Sequence, residues 1–218
     1  MSCALCETRK EKRFCPAIHG RICPQCCGEQ REVTLDCPSD CPYLQQARAH
    51  EKRRDLSDID EAEFFPKVEI GDQFMYEREH LLFGLTFALA KSARANRSLV
   101  DRDLIAAVVS QAKGYETLVN SSLIYEQKTT NLEHLAITAE IEQMLEEFRE
   151  AEQEHLGVTR LRDPEILQAL VFLVRLGLAR TSGRPKSRGF ADFLLAQFPE
   201  NPSGIAAPED AGSRIVIP

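Results

Sequence analysis

From Asp72 onward, apolar side chains recur at the three-to-four-residue spacing of helices buried along one face, and no stretch alternates as a half-buried strand does. Asp72 opens a segment carrying Phe74, Leu81, Leu82, Leu85 and Leu89 that fades near Arg94 to Arg97. Ser98-Leu-Val-Asp101 has the spacing of a capping box, with Asp in place of the usual Glu or Gln. It precedes Leu104, Ile105, Val108, Val109, Ala112 and Val119, a second amphipathic helix. A third runs from about Thr130 to Leu156. Its apolar stripe is Ile137, Ile141, Met144, Leu145, Phe148 and Ala151; Glu142, Glu146, Glu150 and Glu154 lie opposite, and Gly157 is placed to end it. Asp163-Pro164 is a start signal for a fourth helix, which is apolar nearly all round from Ile166 to Leu178 and should be the most buried. After a break at Gly183 to Pro185, a short helix through Phe190, Phe193, Leu194 and Phe198 is stopped by Pro199. The spacing thus predicts a mainly α protein whose residues 72–199 form an all-helical bundle of four to five helices. The Pro-, Ala-, Gly- and Ser-rich remainder, 200–218, reads as a disordered tail.

The first quarter of the chain lacks this periodicity. Residues 1–54 offer few large apolar side chains, mainly Leu5, Phe14, Ile18, Ile22, Val33, Leu35, Tyr43 and Leu44, which is too little to pack a core. Their ten Lys and Arg outnumber seven Asp and Glu, whereas the rest of the chain carries seventeen against twenty-seven, so a +3 head precedes a −10 body within a net charge of −7. This is far from the dense basic stripe of a dedicated nucleic-acid binder. The acidic stretch beginning Asp55-Leu-Ser-Asp-Ile-Asp, followed by Phe64-Phe65-Pro66, makes 55–71 a linker. No apolar run reaches membrane-spanning length, because Leu81 to Leu89 is closed off by Lys91 and Arg94. With no apolar signal core at the N-terminus, the expected compartment is the cytoplasm.

All eight cysteines fall between Cys3 and Cys41. Cys3-x2-Cys6 and Cys23-x2-Cys26 stand sixteen residues apart, the spacing at which two turns each present two thiolates to one zinc ion. A structural zinc supplies about 10–16 kcal/mol of apparent free energy, enough to hold a segment that has no core of its own. Eight thiolates complete two tetrahedral sites. Cys26 and Cys27 are adjacent, and neighbouring side chains diverge, so they should serve different ions. One partition puts Cys3, Cys6, Cys23 and Cys26 on the first zinc and Cys15, Cys27, Cys37 and Cys41 on the second. Another uses Cys3, Cys6, Cys15 and His19 for the first ion, with Cys23, Cys26 or Cys27, Cys37 and Cys41 for the second. Both stay open from spacing alone, as does an iron–sulfur cluster, since thiolate sets do not name their metal. A disulfide framework fits poorly without a signal peptide. His19-Gly20 can turn a hairpin from Phe14 to Ile22, Val33-Thr-Leu35 can be a strand, and Cys37 and Cys41 lie at the start of a helix.

The stretch Cys15-Pro-Ala-Ile-His-Gly-Arg-Ile-Cys-Pro-Gln-Cys-Cys-Gly, continuing through Cys37-Pro-Ser-Asp-Cys-Pro-Tyr-Leu44, resembles the signature of an uncharacterised family of bacterial proteins described only as zinc-binding. The resemblance covers about thirty residues and is most specific in its Cys-Cys-Gly and Cys-Pro-Ser-Asp-Cys elements. It implies metal binding and a bacterial cytosolic setting, and it implies no reaction. The pairing of sites is also similar in logic to cross-braced RING and MYND modules, but the doubled cysteine and the C-x3-C ending depart from RING spacing, so ubiquitin-ligase activity does not follow.

Chemistry elsewhere is sparse. Glu77 with His80 and Glu152 with His155 have the Glu-x-x-His spacing of di-metal carboxylate bundles, but the fourth helix has no acid to complete such a site. There is no phosphate-binding glycine loop, nucleophile elbow or H-E-x-x-H motif. Arg175, Arg180, Arg184, Lys186 and Arg188 form a run of cations without an intervening acid, and Arg184, Lys186 and Arg188 on their loop are the candidate phosphate contacts. The expected function is therefore a zinc-stabilised, non-enzymatic interaction or adaptor protein. Its partner contacts would lie on the acidic third helix and on Phe190, Phe193 and Phe198. The alternatives are a nucleic-acid-binding protein using Arg9, Lys10, Lys12, Arg13, Arg21 and Arg31 with the basic loop, and a di-metal bundle enzyme.

Overall fold

A computed structural model describes residues 1–51, 65–121 and 130–199. Most of the acidic linker and the whole of the 200–218 tail lie outside the described residues. The head contains β1 (Arg13–Cys15), a 3-10 turn at Pro16–Ile18, β2 (Gly20–Ile22), α1 (Pro24–Gln30) and α2 (Pro42–His50). The bundle contains α3 (Asp72–Glu77), α4 (Glu79–Ala95), α5 (Asp101–Ser121), α6 (Leu132–Leu156), α7 (Asp163–Arg180) and α8 (Gly189–Gln197). The chain is mainly α, as the periodicity predicts.

In the head, β1 and β2 pair antiparallel with Arg13 opposite Ile22 and Cys15 opposite Gly20. The hairpin closes through His19, whose φ of 48° lies in the left-handed region. Each head helix begins on a Cys-Pro step. Cys23 and Cys41 occupy the N-cap positions, and the prolines that follow lose no helical hydrogen bond there. The strand expected at 33–35 does not form. The N–H groups of Val33, Thr34 and Leu35 all turn back to the carbonyl of Gln30, so the segment is a tight turn off the end of α1, with one isolated bridge from Arg31 to Leu35.

In the bundle, α5 packs chiefly on α7 and α4 on α6, with α8 laid across α4 and α7. The apolar helix Asp163–Arg180 is the central one: Leu170, Val171, Leu173 and Val174 are fully buried. Two boundaries differ from the sequence reading. The first helix is broken at Arg78 (φ −116°, ψ 24°), where the chain turns so that the guanidinium reaches Glu165 on α7 (2.6 Å) and Glu152 on α6 (3.6 Å). The expected capping box at Ser98 is also absent. The Ser98 hydroxyl donates to the Asn96 side chain (2.6 Å), and it is Asp103 that accepts from the N–H of Val100 (3.2 Å). Asp101 instead points inward, almost wholly buried, and its carboxylate accepts from the N–H groups of Phe190 and Ala191 at the start of α8 and from the Ser187 hydroxyl. The residue expected to cap its own helix caps another. Phe65, placed in the linker by composition, is buried in the bundle core, and its carbonyl accepts from Arg175 (2.8 Å).

The head is docked on the bundle. Glu32, at the end of α1 with φ 54° and only 1% exposed, accepts from Arg48 on α2 (2.8 Å) and from the Ser182 hydroxyl (3.0 Å), while its carbonyl accepts from the Lys186 N–H (2.8 Å). Arg48 bridges onward to Asp192 on α8 (2.7 Å). Burial works against the Arg48 cation, but the hydrogen bonds from Asp192 and Glu32 outweigh it and hold its pKa above the ordinary value.

Candidate metal centre

Two short turns and a helix start converge at the N-terminus. Cys3 and Cys6 lie in the turn before β1, which is closed by the Cys3 N–H to the Arg9 carbonyl (2.8 Å) and held against the hairpin by the Ala4 N–H to the Arg21 carbonyl (3.0 Å). Cys23 and Cys26 come from the cap and first turn of α1. The four Sγ atoms lie within 4.8 Å of one another, with Cys3, Cys23 and Cys26 buried. A tetrahedral zinc with bonds of about 2.3 Å needs sulfur–sulfur edges of about 3.8 Å, so small rotamer adjustments close this set around one ion. Among the described residues, no other group of three or more Cys, His, Asp or Glu side chains gathers as tightly.

Donors point at several of the sulfurs. The Cys23 N–H points at the Cys3 sulfur (3.2 Å) and the Cys26 N–H at the Cys23 sulfur (3.4 Å), and the Arg9 guanidinium stands 3.9 Å from the Cys26 sulfur. The Thr8 hydroxyl, together with the backbone N–H groups of Arg9 and Thr8 and the Arg9 guanidinium, pulls the Cys6 thiol down to about 5. Burial and the crowding of Cys23, Cys6 and Cys3 push Cys26 up to about 12. Four sulfurs this close cannot all ionise unaided, and a divalent cation removes that conflict. The head's own core explains the need: besides cysteine, its buried large apolar side chains among the described residues are Ile22, Leu35 and Leu44. Ordering each residue of the backbone costs about 1–2 kcal/mol, which so few side chains cannot offset.

Cys26 joins this quartet while its neighbour Cys27 faces the other way, as the divergence of adjacent side chains requires. Cys15, Cys27, Cys37 and Cys41 all line one small cavity of about 10 Å³ beneath Tyr43 and Leu44. His19 is exposed and serves as the left-handed residue of the hairpin turn, and among the described residues Cys3 and Cys6 cluster with Cys23 and Cys26 rather than with Cys15 and His19.

The remaining candidates are dispersed. Glu77 and His80 fall on different helices either side of the Arg78 break; Glu77 accepts from Gln73 (2.8 Å), and His80 is exposed. Glu152 is engaged by the N–H groups of Arg160 and Leu161 and by Arg78, and His155 is exposed. The basic run is turned inward. Arg175 donates to the Phe65 and Val68 carbonyls, and Arg180 lies 4.0 Å over the Phe193 ring. Arg184 donates to the carbonyls of Gly28 (3.0 Å) and Arg31 (2.7 Å), Lys186 to that of Thr34 and to Asp36 (both 2.9 Å), and Arg188 to those of Arg97 and Leu99. These cations join parts of the fold, a role that spacing along the chain does not reveal. In the head, Arg13 covers the Tyr43 ring and Arg21 pairs with Glu11.

Comparison with family models, with curated proteins and with solved structures gives no match.

Proposed function

We propose that the chain is a zinc-stabilised, non-enzymatic interaction protein whose head is a rigid surface held by structural metal and carried on a helical bundle. The observation that carries the reading is the quartet of Cys3, Cys6, Cys23 and Cys26, a closed all-sulfur donor set with no place for substrate, as structural zinc sites have. The same chemistry extends to the other four cysteines, giving two zinc ions per chain as the full complement. The resemblance of residues 15–44 to bacterial zinc-binding proteins supports zinc as the metal and a bacterial cytoplasmic setting. Among the described residues, no helix is long and apolar enough to cross a membrane.

An interaction role is supported by the surface. Phe83 (64% exposed) and Phe87 (45%) stand one turn apart on α4, and the Phe198 ring meets both edge-on at 4.9 and 5.3 Å. Exposed apolar rings gathered in one place, rather than scattered singly, are the kind of surface a partner can cover. The contact face thus shifts from α8 to α4, because Phe190 is fully buried and Phe193 lies beneath Arg180. The glutamates Glu142, Glu146, Glu150 and Glu154 of α6 are exposed and present a separate acidic face.

Elemental analysis of the full chain purified without added metal, combined with thiol alkylation, tests the proposal. Zinc in at least stoichiometric amount, with Cys3, Cys6, Cys23 and Cys26 protected until a chelator is added, is the expected result. Coloured, iron-containing protein, or metal-free protein with these four thiols reactive, would overturn it.

A further inference from the structure

We infer that Cys15, Cys27, Cys37 and Cys41 hold a second divalent cation, and that this cation is the latch by which the head grips the bundle. The inference rests on the reading of the head as metal-braced and adds a position and a task. Three observations carry it: the shared cavity, an unpaired guanidinium nitrogen, and the placement of the head's docking acceptors between Cys27 and Cys37.

The cavity, at about 10 Å³, has room for about one water-sized sphere, and four cysteines from four separate pieces of chain line it, less tightly gathered than the first quartet. Cys15 ends β1, Cys27 lies in α1, Cys37 sits in the connection and Cys41 caps α2. Arg31 also lines this cavity, and its Nε is the buried side-chain nitrogen or oxygen that finds no hydrogen-bond partner among the described residues. Leaving a buried charged donor unpaired is costly. Four thiolates around a divalent cation carry a net charge of −2, and an N–H to sulfur bond from Arg31 would answer both needs. Arg9 stands in the same relation to the first quartet.

Among the described residues, the groups by which the head accepts hydrogen bonds from the bundle are the carbonyls of Gly28, Arg31, Glu32 and Thr34 and the carboxylates of Glu32 and Asp36. All lie within residues 28–36, bracketed by Cys27 and Cys37. Arg48, which carries the junction on to Asp192, is on the helix that Cys41 caps. Carbonyls can present themselves in register to Arg184 and Lys186 only if the connection holds its shape. Past the end of α1 it holds little regular structure, and Leu35 is its buried apolar anchor. A cation tying Cys27, Cys37 and Cys41 to the hairpin fixes both ends of that connection. Cys37 also lines a cleft of about 990 Å³ between head and bundle, a route for reagents.

The test uses the full chain and two variants, C37S/C41S and Glu32→Gln. Metal content and amide hydrogen exchange are read on each. In C37S/C41S one of two zinc ions should be lost, and the Lys186 amide should exchange about ten-fold faster or more, the effect of losing one or two buried hydrogen bonds. The amides of Cys23 and Cys26 should keep their protection. Glu32→Gln should speed Lys186 exchange while retaining both ions, which separates the latch from the metal. Should C37S/C41S fold poorly, graded chelation of the wild type reads the same quantities: Cys37 alkylation and Lys186 exchange should rise together at the loss of one equivalent. A wild type holding a single zinc with Cys15, Cys27, Cys37 and Cys41 reactive overturns the second site. Loss of that zinc with Lys186 exchange unchanged overturns the latch. A wild type with no metal refutes the parent reading instead.

Discussion

Asp101 offers the sharpest test of how the bundle is tied together. Its carboxylate accepts from the N–H groups of Phe190 and Ala191 (3.0 Å each) and from the Ser187 hydroxyl (2.7 Å), all in a buried setting. Hydrogen bonds to a charged acceptor are worth about 1.5–3 kcal/mol each, but the three share one acceptor, and burying the carboxylate already cost part of that gain. Asp101→Ala leaves two backbone donors and a hydroxyl without partners, and the expected loss is about 3 kcal/mol. Asp101→Asn keeps an oxygen for the two N–H groups, and the Ser187 hydroxyl can turn to accept from the amide, so the loss should be about 1–2 kcal/mol. Urea unfolding of the zinc-loaded chain, followed by helical circular dichroism, reads both. With m about 2–3 kcal/mol/M, the alanine variant's midpoint should fall by about 1–1.5 M. A shift of both variants below about 0.5 kcal/mol, the range of ordinary surface substitutions, would refute the assignment.

Further expectations follow from other contacts. The Glu165 carboxyl loses something to burial, but the Arg162 N–H and the Arg78 and Arg162 guanidinia outweigh it and hold its pKa below the ordinary value. Its stabilising effect is therefore present above the unfolded value of about 4.3 and fades as pH falls through the lower folded value, so Glu165→Gln should flatten the acid limb of a stability–pH curve; an unchanged slope below pH 5 would contradict the pairing. A Cβ on Gly177 would stand 2.8 Å from the Ile105 side chain and 3.1 Å from the Phe190 ring, so Gly177→Ala should destabilise by about 1–3 kcal/mol despite its better helix propensity; a raised melting temperature would show the crossing to be looser. Because Arg184, Lys186 and Arg188 are engaged internally, RNA and DNA should not bind measurably at about 50 mM salt, and a steep salt-dependent affinity would revive the nucleic-acid alternative.

The helices of the bundle were legible because each buries one stripe and each apolar position is repeated; even the helix at 163–180, apolar nearly all round, announced its central place. The first cysteine quartet was legible for a similar reason: C-x-x-C turns are local, and the adjacent Cys26 and Cys27 must part. What local pattern did not show was the use of polar residues across distance. Asp101 looked like part of its own helix start, yet it caps a helix almost ninety residues later. The cations at 184–188 looked like a surface for phosphate, and they hold the head's carbonyls. Glu32, the pivot of the junction, had no signal beyond being one acid among many. Spacing identifies partners within a turn or two, whereas these partners are chosen by tertiary packing.

The measurement that bears most directly on the metal-braced head is amide hydrogen exchange of the full chain before and after stripping by a strong chelator. Residues 1–51 should lose their protection while α4 to α8 keep theirs, and restoring zinc should bring it back. If the head's protection survives complete removal of metal, its sulfur-lined core holds together without a cation and the account is wrong.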